Sequence, residues 1–256
     1  MANSILGNPR SLAPGFARER TITLVLSGIA GYVDTASFAA LYGLFTAHVT
    51  GNFVTAGSAL ARRTPDGVVA KLVVLPIFMV AVAIATLIVQ AMRRRGRDPL
   101  VALLAVMTVT LAAFCAVGVA LDARVDAPDA WALMVIGGTG VIAMGVQNAL
   151  MRQALGALSP TTVMTGNLTQ FTSDLVRLVS PSTRDPEAAA QERAASQRSL
   201  ARFGWPLLGF VLGAAAGAWA TGTYGLWSLI APTAASLAMT IGVLREASPR
   251  DASSGR

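Results

Sequence analysis

GYVDTASFAALYGLFTAHVTGNFVTAGSALARR, residues 31–63, decides the fold, because a worn copy of it, GVQNALMRQALGALSPTTVMTGNLTQFTSDLVRL, returns at residues 145–178. Gly31, Asp34, Ala40 and Leu41 match Gly145, Asn148, Ala154 and Leu155 at one constant offset. After a single-residue gap, Thr50, Gly51 and Asn52 match Thr165, Gly166 and Asn167, and Ser58, Leu60 and Arg62 match Ser173, Leu175 and Arg177. So many coincidences at a fixed register imply an internal duplication.

The surroundings of both copies are apolar. In 256 residues 54% are hydrophobic and 13% charged, against roughly a quarter charged in ordinary soluble domains. Six runs, at about 22–44, 69–92, 99–121, 131–155, 203–221 and 225–244, are long enough to cross a hydrocarbon core, which takes about 20 residues. The pI near 10.9 and net charge of +7 would suggest nucleic acid in a soluble chain. Here sixteen of the twenty Lys and Arg fall in the tails and in the connections on one side of the six spans. By the positive-inside rule both termini are then cytoplasmic, in a bacterial inner membrane, with the lipid bilayer and not nucleic acid as the partner. Arg62, Arg63 and Lys71 are the exception, on the outer side. Trp131, Trp219, Tyr224 and Trp227 mark the outer interface, where aromatic rings collect. Cys115, the only cysteine, excludes an intramolecular disulfide and a thiolate metal site.

The expected architecture is an all-α polytopic membrane protein, a single membrane domain of two three-span repeats, about 22–121 and 131–244. Three spans is an odd number, so the second repeat enters the membrane from the opposite side and the repeats are inverted, as in many secondary transporters. Each repeat holds one full span, a short half-helix capped by Thr-Gly-Asn, and two further spans. Gly51 permits a sharp turn, and Thr50 or Asn52 can accept bonds from the first-turn amides. A polar connection at about 179–202 reads as a cytoplasmic surface helix, with Asp185 as N-cap and Pro186 at the first helical position. Gly209, Gly213 and Gly217 form a face for close helix contact, either within the chain or with a second subunit. Six spans make a slim bundle, and that face makes a homodimer the expected assembly.

Asp34 is the strongest chemical signal. About halfway along the first span, it lies near the bilayer midplane, where a carboxylate costs several kcal/mol unless paired, hydrated or protonated. It can carry a proton or balance a cationic solute, or it can be a structural acid bonded to a helix terminus. Asn148 stands at its place in the second copy, with Gln147 beside it, so one half offers a titratable group and the other neutral amides. The caps at Thr50, Gly51 and Asn52 and at Thr165, Gly166 and Asn167 can bind an anion or merely lock the broken helices. His48, the only histidine, can relay protons with Asp34 or be a plain loop residue; Val163 replaces it in the second copy. Asp174 and Arg177 can pair at i, i+3. No phosphate loop, metal-ligand cluster or Ser/His/Asp set is present, so neither a cofactor nor an enzymatic role is expected.

The GYxDxxSF element of Gly31, Tyr32, Asp34 and Phe38, followed by Phe45 and Thr50-Gly51-Asn52 and echoed at Thr165-Gly166-Asn167, resembles the YoaK-like family of small bacterial inner-membrane proteins, a domain of unknown function. The resemblance spans about residues 23–243 and implies a six-span membrane protein, without implying a reaction. The function expected from the residues is a secondary transporter or permease for a small polar solute, with or without a proton, at the repeat interface. The alternative is a non-transporting scaffold or accessory subunit.

Overall fold

A computed structural model of the chain describes residues 16–64, 67–122 and 131–247. The N-terminal tail through residue 15, and the arginines at 124, 250 and 256, lie outside the described residues. Among the described residues the chain is helical and has no strand: α1 Phe16–Ala40, α2 Gly51–Arg62, α3 Val68–Arg94, α4 Pro99–Leu121, α5 Trp131–Gln153, α6 Met164–Val179, α7 Pro186–Tyr224, a 3-10 turn over Gly225–Leu229, and α8 Ile230–Ala247. Five stretches are long and apolar enough to cross a membrane. The expected fifth and sixth spans fall together in one of them, Pro186–Glu246.

Two helix starts use one device. Asp98 accepts from Leu100 N at 2.9 Å ahead of Pro99, and Asp185 accepts from Glu187 N at 3.3 Å ahead of Pro186. Each aspartate satisfies an orphan first-turn amide, and each proline occupies a position that needs no donor. The surface helix expected after Asp185 does not stop before the fifth span. Both belong to α7, whose 39 residues extend about 58 Å at 1.5 Å per residue, nearly twice a hydrocarbon core. Pro206 lies inside α7 and lacks the amide that would bond Arg202 O. The Ser159 hydroxyl donates to that carbonyl at 3.0 Å instead, so the helix continues through the proline.

α7 lies parallel to α1 at backbone contact. A Cβ added to Gly209, Gly213 or Gly217 would overlap the carbonyl oxygens of Leu24, Gly28 or Tyr32, and one added to Gly31 would overlap that of Phe210. Steps of four residues on both helices keep the same faces together for two turns, the small-residue packing of membrane helices. The glycine face that offered a contact to a second subunit is thus filled by the chain's own first helix. Tyr32 OH adds a bond to Ser228 O at 2.8 Å. α5 packs on α3 and α4, and there Gly145 faces the Phe78 carbonyl and the Ala81 methyl. Between α4 and α8, Thr108 Oγ1 meets Ser236 Oγ at 2.7 Å and Thr240 Oγ1 at 3.0 Å.

α1 and α5 are the interior helices, while α3 is mostly exposed. Leu26, Met107, Phe114, Leu133, Ile136 and Met144 fill the centre. The C-terminal ends of α1 and α5 lie at opposite ends of the bundle: Ala39 and Ala40 share a cavity with Asp122 at the end of α4, whereas Arg93 at the end of α3 donates to Gln153 O. Lys71, placed on the outer side by sequence, is buried, with its Nζ beside Gly43.

Candidate functional site

α1 ends in a reversal. Gly43 N bonds back to Phe38 O at 3.0 Å, with Tyr42 and Gly43 both at positive φ (51° and 74°), the left-handed exit common at helix C-termini. The chain then descends alongside α1. Asp34 lies six residues before the end of α1, about 9 Å along the axis, so it sits well past the middle of the helix. The descending loop reaches it there.

The amides of Thr46, Ala47 and His48 all donate to Asp34 Oδ1, at 2.9, 2.7 and 3.3 Å. Successive amides converging on one oxygen make an anion nest. The other oxygen, Oδ2, is 2.7 Å from His48 Nδ1. When Asp34 is ionised it only accepts, so Nδ1 then carries the proton and Nε2 is a second proton site. The two partners differ in access, the Asp34 side chain being 5% exposed and that of His48 38%. Ser37 closes the pocket, donating to Asp34 O at 3.0 Å and touching Thr46 Oγ1 at 3.1 Å. The His48 ring rests edge-on against Phe45 and Phe210, which sets it between the loop and α7.

The Thr-Gly-Asn segments are placed where sequence put them but do not cap helices. Gly51, Asn52 and Phe53 amides bond to His48, Val49 and Thr50 carbonyls at 2.8, 3.2 and 3.2 Å. That lead-in turn satisfies the first-turn donors, and the Thr50 side chain makes no cap bond. Asn52 is released to reach back seven residues: its Oδ1 accepts from Phe45 N at 2.9 Å and its Nδ2 donates to Phe45 O at 2.8 Å. In the second segment α6 begins at Met164, so Thr165, Gly166 and Asn167 lie within its first turn, and Val163 at the N-cap position makes no side-chain cap bond. Asn167 Nδ2 donates to Pro160 O at 2.7 Å, again seven residues back. Proline has no amide, so the paired bond of Asn52 cannot form there.

Asn148 also holds its returning loop, through different chemistry. Its Oδ1 accepts from Thr162 Oγ1 at 2.7 Å and its Nδ2 donates to Met144 O. Gln147 Nε2 donates to Leu26 O at 2.8 Å and to Thr161 Oγ1 at 3.1 Å, joining this loop to α1. Among the described residues, Gln147 Oε1 and Ser27 Oγ are buried without a partner. The sequence reading missed Thr46, Thr161, Thr162 and Ser37. Aligning the loops by their Thr-Gly-Asn segments places Thr46 and Ala47 over Thr161 and Thr162, and that alignment carried the signal.

α2 and α6 are amphipathic, burying Asn52, Ala56 and Ala59 in one case and Asn167 and Asp174 in the other. Such helices suit the membrane surface better than its interior. Asp174 clamps α6 to α7: Arg177 Nη1 bonds its Oδ1 at 3.2 Å, as the i, i+3 spacing predicts, while Gln170 (2.9 Å) and Ser199 bond Oδ2. Burial pushes this carboxyl up, but the Ser199, Gln170 and Arg177 bonds outweigh it and hold the group below the usual carboxylate range.

Among the described residues no three His, Cys, Asp or Glu come together to hold a metal; Asp34 and His48 offer two donors, each already engaged. Five cavities among the described residues are lined by side chains other than Asp34, His48, Gln147 and Asn148.

Several long apolar helices, with a buried carboxylate paired to a partly exposed imidazole, define a multi-pass helical membrane protein. The chain belongs to the DUF1275 family, described as a protein of unknown function, whose model matches residues 22–242. No curated protein and no solved structure matches the chain.

Proposed function

We propose that the chain is a small secondary transporter or permease for a polar solute, in which Asp34 and His48 form a proton-carrying pair. One observation carries this reading. A loop folded back beside a helix can be held by neutral groups, as Asn148 and Thr162 hold theirs, yet the first loop is held by a carboxylate joined to a half-exposed imidazole. A lock needs no titratable group. A route for a proton between a buried site and the outside does.

The architecture that goes with it has six spans, the stretch Pro186–Glu246 turning at Gly225 into two, arranged as two inverted repeats in a bacterial inner membrane with both termini cytoplasmic. The opposed ends of α1 and α5, the seven-residue reach of Asn52 and Asn167, and the facing of Gly31 to Phe210 O and Gly145 to Phe78 O support the inverted arrangement. Sixteen of twenty basic residues on one side support the orientation. The YoaK-like resemblance agrees with six spans in a bacterial inner membrane.

A scaffold or accessory subunit is the second reading. It is favoured by the complete hydrogen bonding of Asp34 and by the cavities lying elsewhere, since a solute site is usually a formed pocket. A thermal-shift screen of purified protein against amino acids, organic acids, polyamines, nucleobases and sugars separates the two. A ligand at a hundred times its Kd adds about 2.7 kcal/mol. The transporter reading predicts a stabilising solute whose effect is lost in Asp34→Asn. Solutes that stabilise both proteins equally would favour the scaffold.

A further inference from the structure

Away from Asp34, a cleft of about 190 Å³ opens between the start of α1, the loop after α5 and the middle of α7, lined by Glu19, Arg20, Ser159, Arg198, Arg202 and Trp205 among others. We propose that this cleft binds the phosphate of an anionic phospholipid headgroup.

Its charge is one-sided. Arg198 and Arg202 line it together with Arg20 and a single carboxylate, Glu19, which is in no ion pair among the described residues. Arg198 lines the cleft as an exposed side chain with no hydrogen bond or ion pair to any described residue, so its donors are open to a ligand that enters. Arg202 is held in place by its bond to Ala157 O at 2.7 Å, and Arg20 stacks over the Trp205 ring at 5.5 Å. Preorganised guanidinium forks suit the oxygens of a phosphate. The cleft is smaller than the roughly 300 Å³ at which sites for drug-sized solutes begin, and it suits a single anionic group.

The position selects the source of that group. The first candidate span begins at Arg18, so Arg20 lies in its opening turn. Trp205 is 19 residues before Tyr224 on α7, about 28 Å along the helix, which sets it one hydrocarbon core away from the aromatic cluster at the other face. The cleft therefore lies at headgroup level, where basic pockets between spans meet anionic lipid. A soluble phosphate would meet the same arginines.

Purified full-length protein in detergent, titrated with phosphatidylglycerol, phosphatidylcholine or inorganic phosphate and followed by its melting temperature, tests the assignment. Phosphatidylglycerol is expected to stabilise it far more than phosphatidylcholine. Arg198→Gln, which breaks no bond to any described residue, should bind phosphatidylglycerol about tenfold more weakly, as should Arg202→Lys, while Arg193→Gln elsewhere on α7 should bind normally. Equal binding by Arg198→Gln and Arg193→Gln would overturn the site. Inorganic phosphate binding as tightly as phosphatidylglycerol, with the same Arg198 dependence, would overturn the lipid assignment in favour of a soluble phosphate compound.

Discussion

The loops that follow α1 and α5 both fold back beside the helix they leave, and both are tied fourteen residues on, Asp34 to His48 and Asn148 to Thr162. In the first, a carboxylate gathers three backbone amides and an imidazole. In the second, a neutral amide meets a hydroxyl. Both loops return beside the helix they leave, so a return of this kind does not by itself require a charge, although the carboxylate satisfies three amides that the neutral tie does not. An ionisable group kept inside a membrane protein points to function, and the second loop serves as an internal comparison for that inference.

The sharpest way to break the comparison is to empty both ties. Asp34→Ala should cost about 3–5 kcal/mol, because it strands buried amides and an imidazole donor, whereas Asn148→Ala should cost about 1–2 kcal/mol; melting curves of the purified variants compare them, and equal losses would contradict the asymmetry. Helix packing gives the next contrast. Gly31→Ala drives a methyl into the Phe210 backbone, while Gly145→Ala meets the Ala81 side chain, 2.9 Å from the new Cβ. The first should lose the larger part of the roughly 1–3 kcal/mol typical of overpacking, read as lower membrane accumulation and melting temperature. Asn52→Ala removes two bonds and Asn167→Ala one bond to a backbone oxygen, so their costs should stand near 2 to 1, at about 1 kcal/mol per bond.

The smallest effect concerns pH. Asp174 is held below its usual range, so its clamp on α7 is fully present above the unfolded carboxylate value of about 3.9 and is lost as pH falls through the lower folded value. Ala59 occupies the matching place in α2. Hydrogen-exchange protection of α6 should therefore fall in acid while that of α2 does not follow it through this group.

Much of this was legible in the chain. Apolar runs located the first four membrane-length helices, Asp185-Pro186 located the start of α7, and the repeated Thr-Gly-Asn located both loops. What failed was the role assigned to those residues: a polar side chain before a helix reads as a cap, but the lead-in turn at His48–Thr50 had already satisfied the donors. The surface helix and fifth span read as separate because the chain turns from polar to apolar near residue 203, and only Ser159, 47 positions before Pro206, repairs the carbonyl that the proline frees. Neither effect is local, so neither could be read from a window of sequence. The pairing of Asp34 with His48 was open as one of two readings, since no local pattern fixes where a returning loop stops.

The central claim is that the charged tie works and the neutral one only holds. It is tested most directly by reconstituting wild type, Asp34→Asn and Asn148→Ser into liposomes at matched protein amounts and measuring uptake, driven by a pH gradient, of the solute that stabilises the wild type. Gradient-driven accumulation should disappear in Asp34→Asn and persist in Asn148→Ser. Accumulation by Asp34→Asn at the wild-type level would contradict the account.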